Sequence, residues 1–206
     1  MTMEPLVLAS SSPRRRQLLE MLGIPLIVRP SHIPETRRPG EPPVEYSRRL
    51  AGEKAASVTG GLVLGADTIV VLDGEILEKP DDAAHALDIL RKLQSRTHQV
   101  VTSVALRSDG RTRTLTDITA VTFRPAADDV LRAYIATGEP MDKAGAYGIQ
   151  GYGAALIERV EGDFFGVMGL PVRLVLDLLA EAGRPYGFGE EVRSEKGEGR
   201  REKGTG

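Results

Sequence analysis

The sequence predicts an α/β domain built on a mixed β-sheet. Strand-like apolar runs alternate along the chain with stretches of helical period, which argues for strands covered by helices. Two strong hairpin turns, at Asp73-Gly74 and around Ser108-Asp109-Gly110, add antiparallel pairs to that sheet. The chain has 206 residues, a length for one domain at ~150 residues each.

Each element follows from local signals. Leu6–Ala9 is a buried strand. Ser12-Pro13 opens a helix, with Ser as N-cap and Pro at the first helical position, and Gly23 closes it. Leu26–Arg29 is a second strand, and the proline-rich stretch 30–43 is a loop. Pro43 starts a helix to about Val58. Leu62–Leu72 is a long β-rich run that returns through Glu75–Glu78. Asp81 caps a helix carrying Leu87, Leu90 and Leu93. Gln99–Leu106 and Thr112–Phe123 form the second hairpin. Val130, Leu131, Tyr134 and Ile135 mark a helix ending at Gly138. A glycine-punctuated loop follows, then a strand at Ala154–Val160. The last helix starts near Pro171.

Composition excludes several classes. Hydrophobic residues are 41% and charged residues 27%, ordinary for a globular chain. A net charge of -2 carries no basic excess, so no nucleic-acid partner is expected. There is no cysteine, which removes disulfides, thiolate metal sites and cysteine nucleophiles. The three histidines are not at ligand spacing, so any metal should be a hard, oxygen-bound one. No stretch approaches the ~18 apolar residues of a membrane span. No membrane partner is expected, and the protein is read as cytoplasmic.

Residues 1–183 form the predicted domain. After Gly183 the composition shifts: residues 183–206 hold seven of the 23 glycines and few large apolar side chains. Such a segment cannot offset its ordering entropy, so 184–206 is read as a disordered charged tail. Deleting residues 187–206 should leave melting temperature and activity nearly unchanged; a large fall in melting temperature would show that the tail packs.

Three features point to chemistry. Arg14 and Arg15 sit in the first turn of a helix, where the dipole is positive and cations are unfavourable unless an anion is bound. Ser10, Ser11 and Ser12 put hydroxyls beside the free amides, making a phosphate cradle; a surface arginine cluster is the bland alternative. Asp67 interrupts an otherwise apolar strand, a costly position unless the carboxylate is paired, metal-bound or functional. Its structural alternative is an Asp bonded to a turn or to Thr68. The loop Glu139–Gly151 has glycines at 145, 148 and 151, where backbone can approach a ligand, and Gln150 offers both donor and acceptor.

Two lysines stay open. Lys54 sits on a small, apolar helix face, where a surface lysine with its stem along the helix is the ordinary expectation. A strict two-residue turn at Asp73-Gly74 sets Lys79 opposite Thr68, facing away from Asp67. Otherwise the turn is longer or the lysine reaches around a strand end.

These segments together resemble the Maf family of nucleotide pyrophosphatases. The matching pieces are Leu8-Ala9-Ser10-Ser11-Ser12-Pro13-Arg14-Arg15, Gly65-Ala66-Asp67-Thr68, Glu78-Lys79-Pro80, Thr97-His98-Gln99-Val100, Glu139–Gly151 and Val167-Met168-Gly169-Leu170-Pro171. The resemblance implies an elongated mixed sheet with flanking helices in two lobes around a cleft, similar to inosine-triphosphatase-like folds. It implies hydrolysis of a nucleoside triphosphate to the monophosphate and pyrophosphate with a divalent cation, Mg²⁺ or Mn²⁺. It makes Asp67 the general base and Arg14, Thr68 and Gln150 the specificity residues, in the pattern of the dTTP and UTP subfamily. Ser10, Arg15, Lys54 and Lys79 become phosphate-binding residues, and Glu35 and Lys143 further cleft or metal-side residues. A homodimer is the further partner it allows. It also brings a rival reading: a non-catalytic nucleotide-binding regulator of septum formation and cell-division arrest. A third reading is a phosphohydrolase releasing orthophosphate.

Overall fold

The computed structural model describes residues 4–188. Seven strands form one sheet in the order β2-β1-β3-β5-β6-β7, with β4 beside β3. They are β1 (Leu6–Leu8), β2 (Leu26–Val28), β3 (Leu62–Leu72), β4 (Glu75–Leu77), β5 (Thr97–Ser108), β6 (Arg111–Phe123) and β7 (Ile157–Glu161). β1 runs parallel to β2 and β3, and the other pairs are antiparallel, so the sheet is mixed as expected. The helices are α1 (Pro13–Met21), α2 (Pro43–Ala56), α3 (Ala83–Leu93), α4 (Asp128–Ala136), α5 (Phe164–Met168) and α6 (Val172–Glu181).

Both hairpins close through two residues at positive φ, Asp73 and Gly74 in one and Asp109 and Gly110 in the other. That backbone matches the right-handed twist of the flanking strands. Ser12 caps α1, accepting from the Arg15 N–H, with Pro13 at its first position. The cap of α3 is Asp82, one residue later than predicted, and it accepts from the His85 N–H at 2.8 Å. Tyr152–Leu156 is a short 3-10 turn, so the predicted strand at Ala154–Val160 begins only at Ile157. α5 was not foreseen: Asp163 caps it and Gly169 ends it in the left-handed region. At five residues it carries too little period to stand out.

The long strand β3 organises the molecule. Val63 and Leu64 near its start lie beside β1 and its last three residues beside β4, while β5 pairs along the other edge from Leu62 to Val71. Between Leu64 and Val70 the β1/β4 edge of β3 has neither strand beside it. Two cores flank that gap. Leu8, Leu19, Leu64, Leu170 and Leu178 belong to one, on β1, α1, β3, the turn before α6, and α6. Val70, Leu90, Phe123, Leu131 and Tyr147 belong to the other, on β3, α3, β6, α4 and the Glu139–Gly151 loop. These are the two lobes, and the cleft lies at the gap.

Of the predicted tail, residues 189–206 lie outside the described residues. Within the described part, the Tyr186 hydroxyl donates to the Leu22 carbonyl at 2.8 Å. Among the described residues, no helix is long and apolar enough to cross a membrane.

Candidate active site

The cleft has a volume of about 320 Å³ and is lined by Ser10, Arg14, Arg15, Glu35, Lys54, Asp67, Thr68, Lys79, Lys143 and Gln150. All ten site residues singled out in the sequence therefore meet in one place. They come from the end of β1, the start of α1, the 30–43 loop, α2, the bare stretch of β3, the segment after β4 and the Glu139–Gly151 loop. Consecutive residues of a strand point to opposite faces, so Asp67 and Thr68 reach the cleft from the two sides of the open β3 edge.

Asp67 is buried, with 4% of its surface exposed. Its Oδ1 accepts from Lys54 Nζ at 2.8 Å, and Lys54 also pairs with Glu35 Oε1 at 2.9 Å. Its Oδ2 is buried and has no hydrogen-bond partner among the described residues. A buried carboxylate oxygen left unpaired is costly, and such a group is retained where a ligand supplies its partner. The expectation that Lys54 lies on the surface is corrected: Lys54 is 7% exposed. Two residues before Asp67, on the same face of β3, glycine explains the reach. A Cβ at Gly65 would lie 2.3 Å from the Ala51 carbonyl and 2.6 Å from the Ala55 nitrogen. α2 thus presses directly on the β3 backbone, close enough for Lys54 to meet Asp67.

Arg15 is built into the wall. Nε donates to the Gly169 carbonyl at 2.8 Å, Nη1 to Ser10 Oγ at 3.0 Å and Nη2 to Thr68 Oγ1 at 3.1 Å. Burial pulls its pKa below the ordinary arginine value, against the charges of Asp67 and Glu35. One guanidinium therefore ties β1, β3 and the turn before α6 together. Thr68 also meets the buried Thr102, whose hydroxyl donates to the Gly166 carbonyl at 2.7 Å.

Arg14 takes the outward position and pairs with Asp142 across the cleft at 3.4 Å. Lys143 Nζ donates to the same Asp142 at 2.6 Å. The Asp73-Gly74 turn is strictly two residues long, since Leu72 pairs with Glu75. Lys79 nevertheless lines the cleft, because β4 ends at Leu77 and the lysine lies beyond the strand end. Glu78 was not singled out. Burial first, then the charges of Asp67 and Glu35, raise its carboxyl above the ordinary value. The proximity of those three carboxylates has no signal in sequence spacing.

His98 belongs to the second core. Its Nε2 lies 2.8 Å from the Tyr147 hydroxyl, and burial pushes its pKa down to about 4, so the ring stays neutral. It anchors Tyr147 of the glycine-rich loop from below.

The fold and cleft define an α/β protein whose buried carboxylate faces a cation-lined opening at a helix N-terminus. The family described as Maf-like protein matches residues 5–182, and the chain belongs to that family. A dTTP/UTP pyrophosphatase of Moorella thermoacetica is 50% identical over 190 residues, covering 88% of this chain and 96% of the relative. One from Symbiobacterium thermophilum is 46% identical over 187 residues, 89% and 96% of the two chains. One from Bacillus velezensis is 46% identical over 180 residues, 85% and 95% of the two chains.

Proposed function

We propose that this cleft hydrolyses dTTP and UTP to the nucleoside monophosphate and pyrophosphate, with Asp67 as general base. The observation that carries the reading is Asp67 itself: Lys54 holds one oxygen, and the other is buried and unpartnered among the described residues. The names of the relatives supply the substrate class.

The triphosphate lies against the N-terminus of α1, whose positive dipole end favours an anion. Arg14, Lys79 and Lys143 offset its charge, and Arg15 keeps Ser10 and Thr68 in register. Asp67 Oδ2 takes a proton from water, and the water oxygen bonds to the α phosphorus. The bond from that phosphorus to the α–β bridging oxygen breaks, and its electron pair leaves with pyrophosphate. Positioning and electrostatics supply most of the rate, and the base adds roughly 10²–10⁴-fold.

Glu35 and the Lys54-bound Oδ1 of Asp67 fit a divalent cation, since both are hard oxygen donors drawn to one point by Lys54, which leaves Oδ2 for the proton. Among the described residues no group of three or more His, Asp or Glu side chains gathers as a metal site, so phosphate oxygens and water would complete the shell. When bound, Mg²⁺ or Mn²⁺ supplies charge neutralisation at the phosphates. A cytoplasmic location and a role in nucleotide turnover go with this reading.

A preference for thymine and uracil follows. Thymine and uracil share an edge of carbonyl, N3–H and carbonyl, whereas cytosine reverses part of that order and purines are larger. Gln150 can meet that edge with a donor and an acceptor, while Thr68 and Arg14 fix the pose. A site that bonds one edge can reject the wrong one by up to about 10⁴–10⁵-fold. A panel of triphosphates with Mg²⁺ and with Mn²⁺, assayed for pyrophosphate and orthophosphate separately, tests both claims. The expected result is pyrophosphate, with dTTP and UTP preferred over dCTP and GTP, and Gln150→Glu weakening pyrimidine use and reordering the substrates. Equal efficiency for dTTP, dCTP and GTP overturns the preference. Orthophosphate alone would mean a phosphohydrolase, and neither product a nucleotide-binding regulator.

A further inference from the structure

One carboxylate buckles the loop that carries Gln150. Glu139 Oε2 accepts from the Tyr152 N–H at 2.7 Å, and Oε1 accepts from the Gly153 N–H at 3.0 Å. The Tyr134 hydroxyl donates to Oε1 at 2.9 Å and itself accepts from the Gly148 N–H at 3.1 Å. The backbone is thus tied on both sides of Gln150. Contact is close enough to require glycine: a Cβ at Gly151 would lie 2.0 Å from Glu139 Oε2, and one at Gly153 2.8 Å from the Tyr134 hydroxyl.

Gln150 is exposed, and among the described residues no hydrogen bond of its side chain is formed. Its position is therefore set by the backbone on either side. A segment with three glycines has wide backbone freedom unless something restrains it. Burial pushes the Glu139 carboxyl up, but the Gly153 and Tyr152 N–H donors and the Tyr134 hydroxyl outweigh it and hold the group below the ordinary value. An ionised carboxylate accepts on both oxygens, as three donors demand; an amide would turn N–H groups toward one of them.

We propose that Glu139 is a positioning residue for selectivity for thymine and uracil over cytosine, acting through the Gly148–Gly153 backbone to hold Gln150 against the base. This rests on the reading that Gln150 meets the base. A loop released by an ångström lets the amide meet uracil and cytosine edges with less difference.

The test is a double-mutant cycle. kcat and KM for dTTP and dCTP are measured for wild type, Glu139→Gln, Gln150→Ala and the double variant, with melting temperatures alongside. Glu139→Gln should lower the dTTP:dCTP ratio of kcat/KM by about tenfold or more, chiefly through a higher KM for dTTP. In the Gln150→Ala background it should change the ratio no further, since the two act on one interaction. An unchanged ratio in Glu139→Gln, or an equal drop with and without Gln150, overturns the proposal. If Gln150→Ala keeps the wild-type ratio, the reading of Gln150 fails and takes this one with it. If only Gln150→Ala lowers the ratio, the Glu139 assignment alone falls. Should Glu139→Gln not fold, Tyr134→Phe replaces it in the cycle, because it removes the hydroxyl between Glu139 and Gly148, and the same outcomes decide.

Discussion

Asp67→Asn folds and binds dTTP but releases pyrophosphate about 10²–10⁴-fold more slowly than wild type. The amide keeps the shape of the side chain, and its oxygen still accepts from Lys54 at the position now held by Oδ1. Lys54 also keeps Glu35, so no cation is left buried and alone. What disappears is Oδ2, which has no partner among the described residues and is the oxygen that takes the proton. Calorimetry with dTTP and a pyrophosphate assay on the same preparation separate binding from turnover. Near-wild-type turnover would remove Asp67 from the role of base.

Gly65→Ala is the second large effect, and it acts on the fold before it acts on the chemistry. The new methyl meets two backbone atoms of α2, the Ala51 carbonyl and the Ala55 nitrogen, neither of which can rotate aside. Helix and strand must separate. Overpacking of this kind costs about 1–3 kcal/mol, and each kcal/mol lowers the melting temperature of a chain this size by roughly 2–4 °C. Activity should fall further than stability, because the same shift draws Lys54 away from Asp67. Gly52→Ala is the control: on α2 itself, its methyl would lie 4.0 Å from Thr114 Oγ1 and should be neutral or slightly stabilising. Equal melting temperatures for Gly65→Ala and wild type would show that the contact is softer than the geometry implies.

What was legible in the sequence was whatever a few neighbouring residues decide. Asp73-Gly74 and Asp109-Gly110 announce their turns because their backbone conformations suit few other residues. Ser12-Pro13 announces α1 because cap and fixed φ lie side by side. The alternation of strands and helices then gives an α/β sheet, and the resemblance of the ordered motifs indicates the cleft. Illegible were the partners. Lys54 looked like a surface lysine because nothing near it in sequence says that Gly65 brings its helix onto β3. Arg15 and Arg14 look alike in the sequence, yet one is locked into the wall and the other faces the opening. Glu139 stood at the edge of a conspicuous loop, but its grip on Gly148, Tyr152 and Gly153 needs the chain to fold back through Tyr134. α5 and the late start of β7 were missed for a related reason: short elements are set by what they pack on.

The strand that lies open at the cleft is also shared property. β3 gives Leu64 to one core and Val70 to the other, and β5 runs beside it for almost its full length. Neither lobe can melt without taking down the sheet that supports its neighbour, so the two cores denature as one unit despite being separate clusters. The shared backbone also denies the lobes a hinge: a wide swing would have to break ladder bonds between β3 and β5. Nucleotide entry and product escape should then fall to the Arg14–Asp142 bridge and the loops at the rim rather than to the strand that holds Asp67.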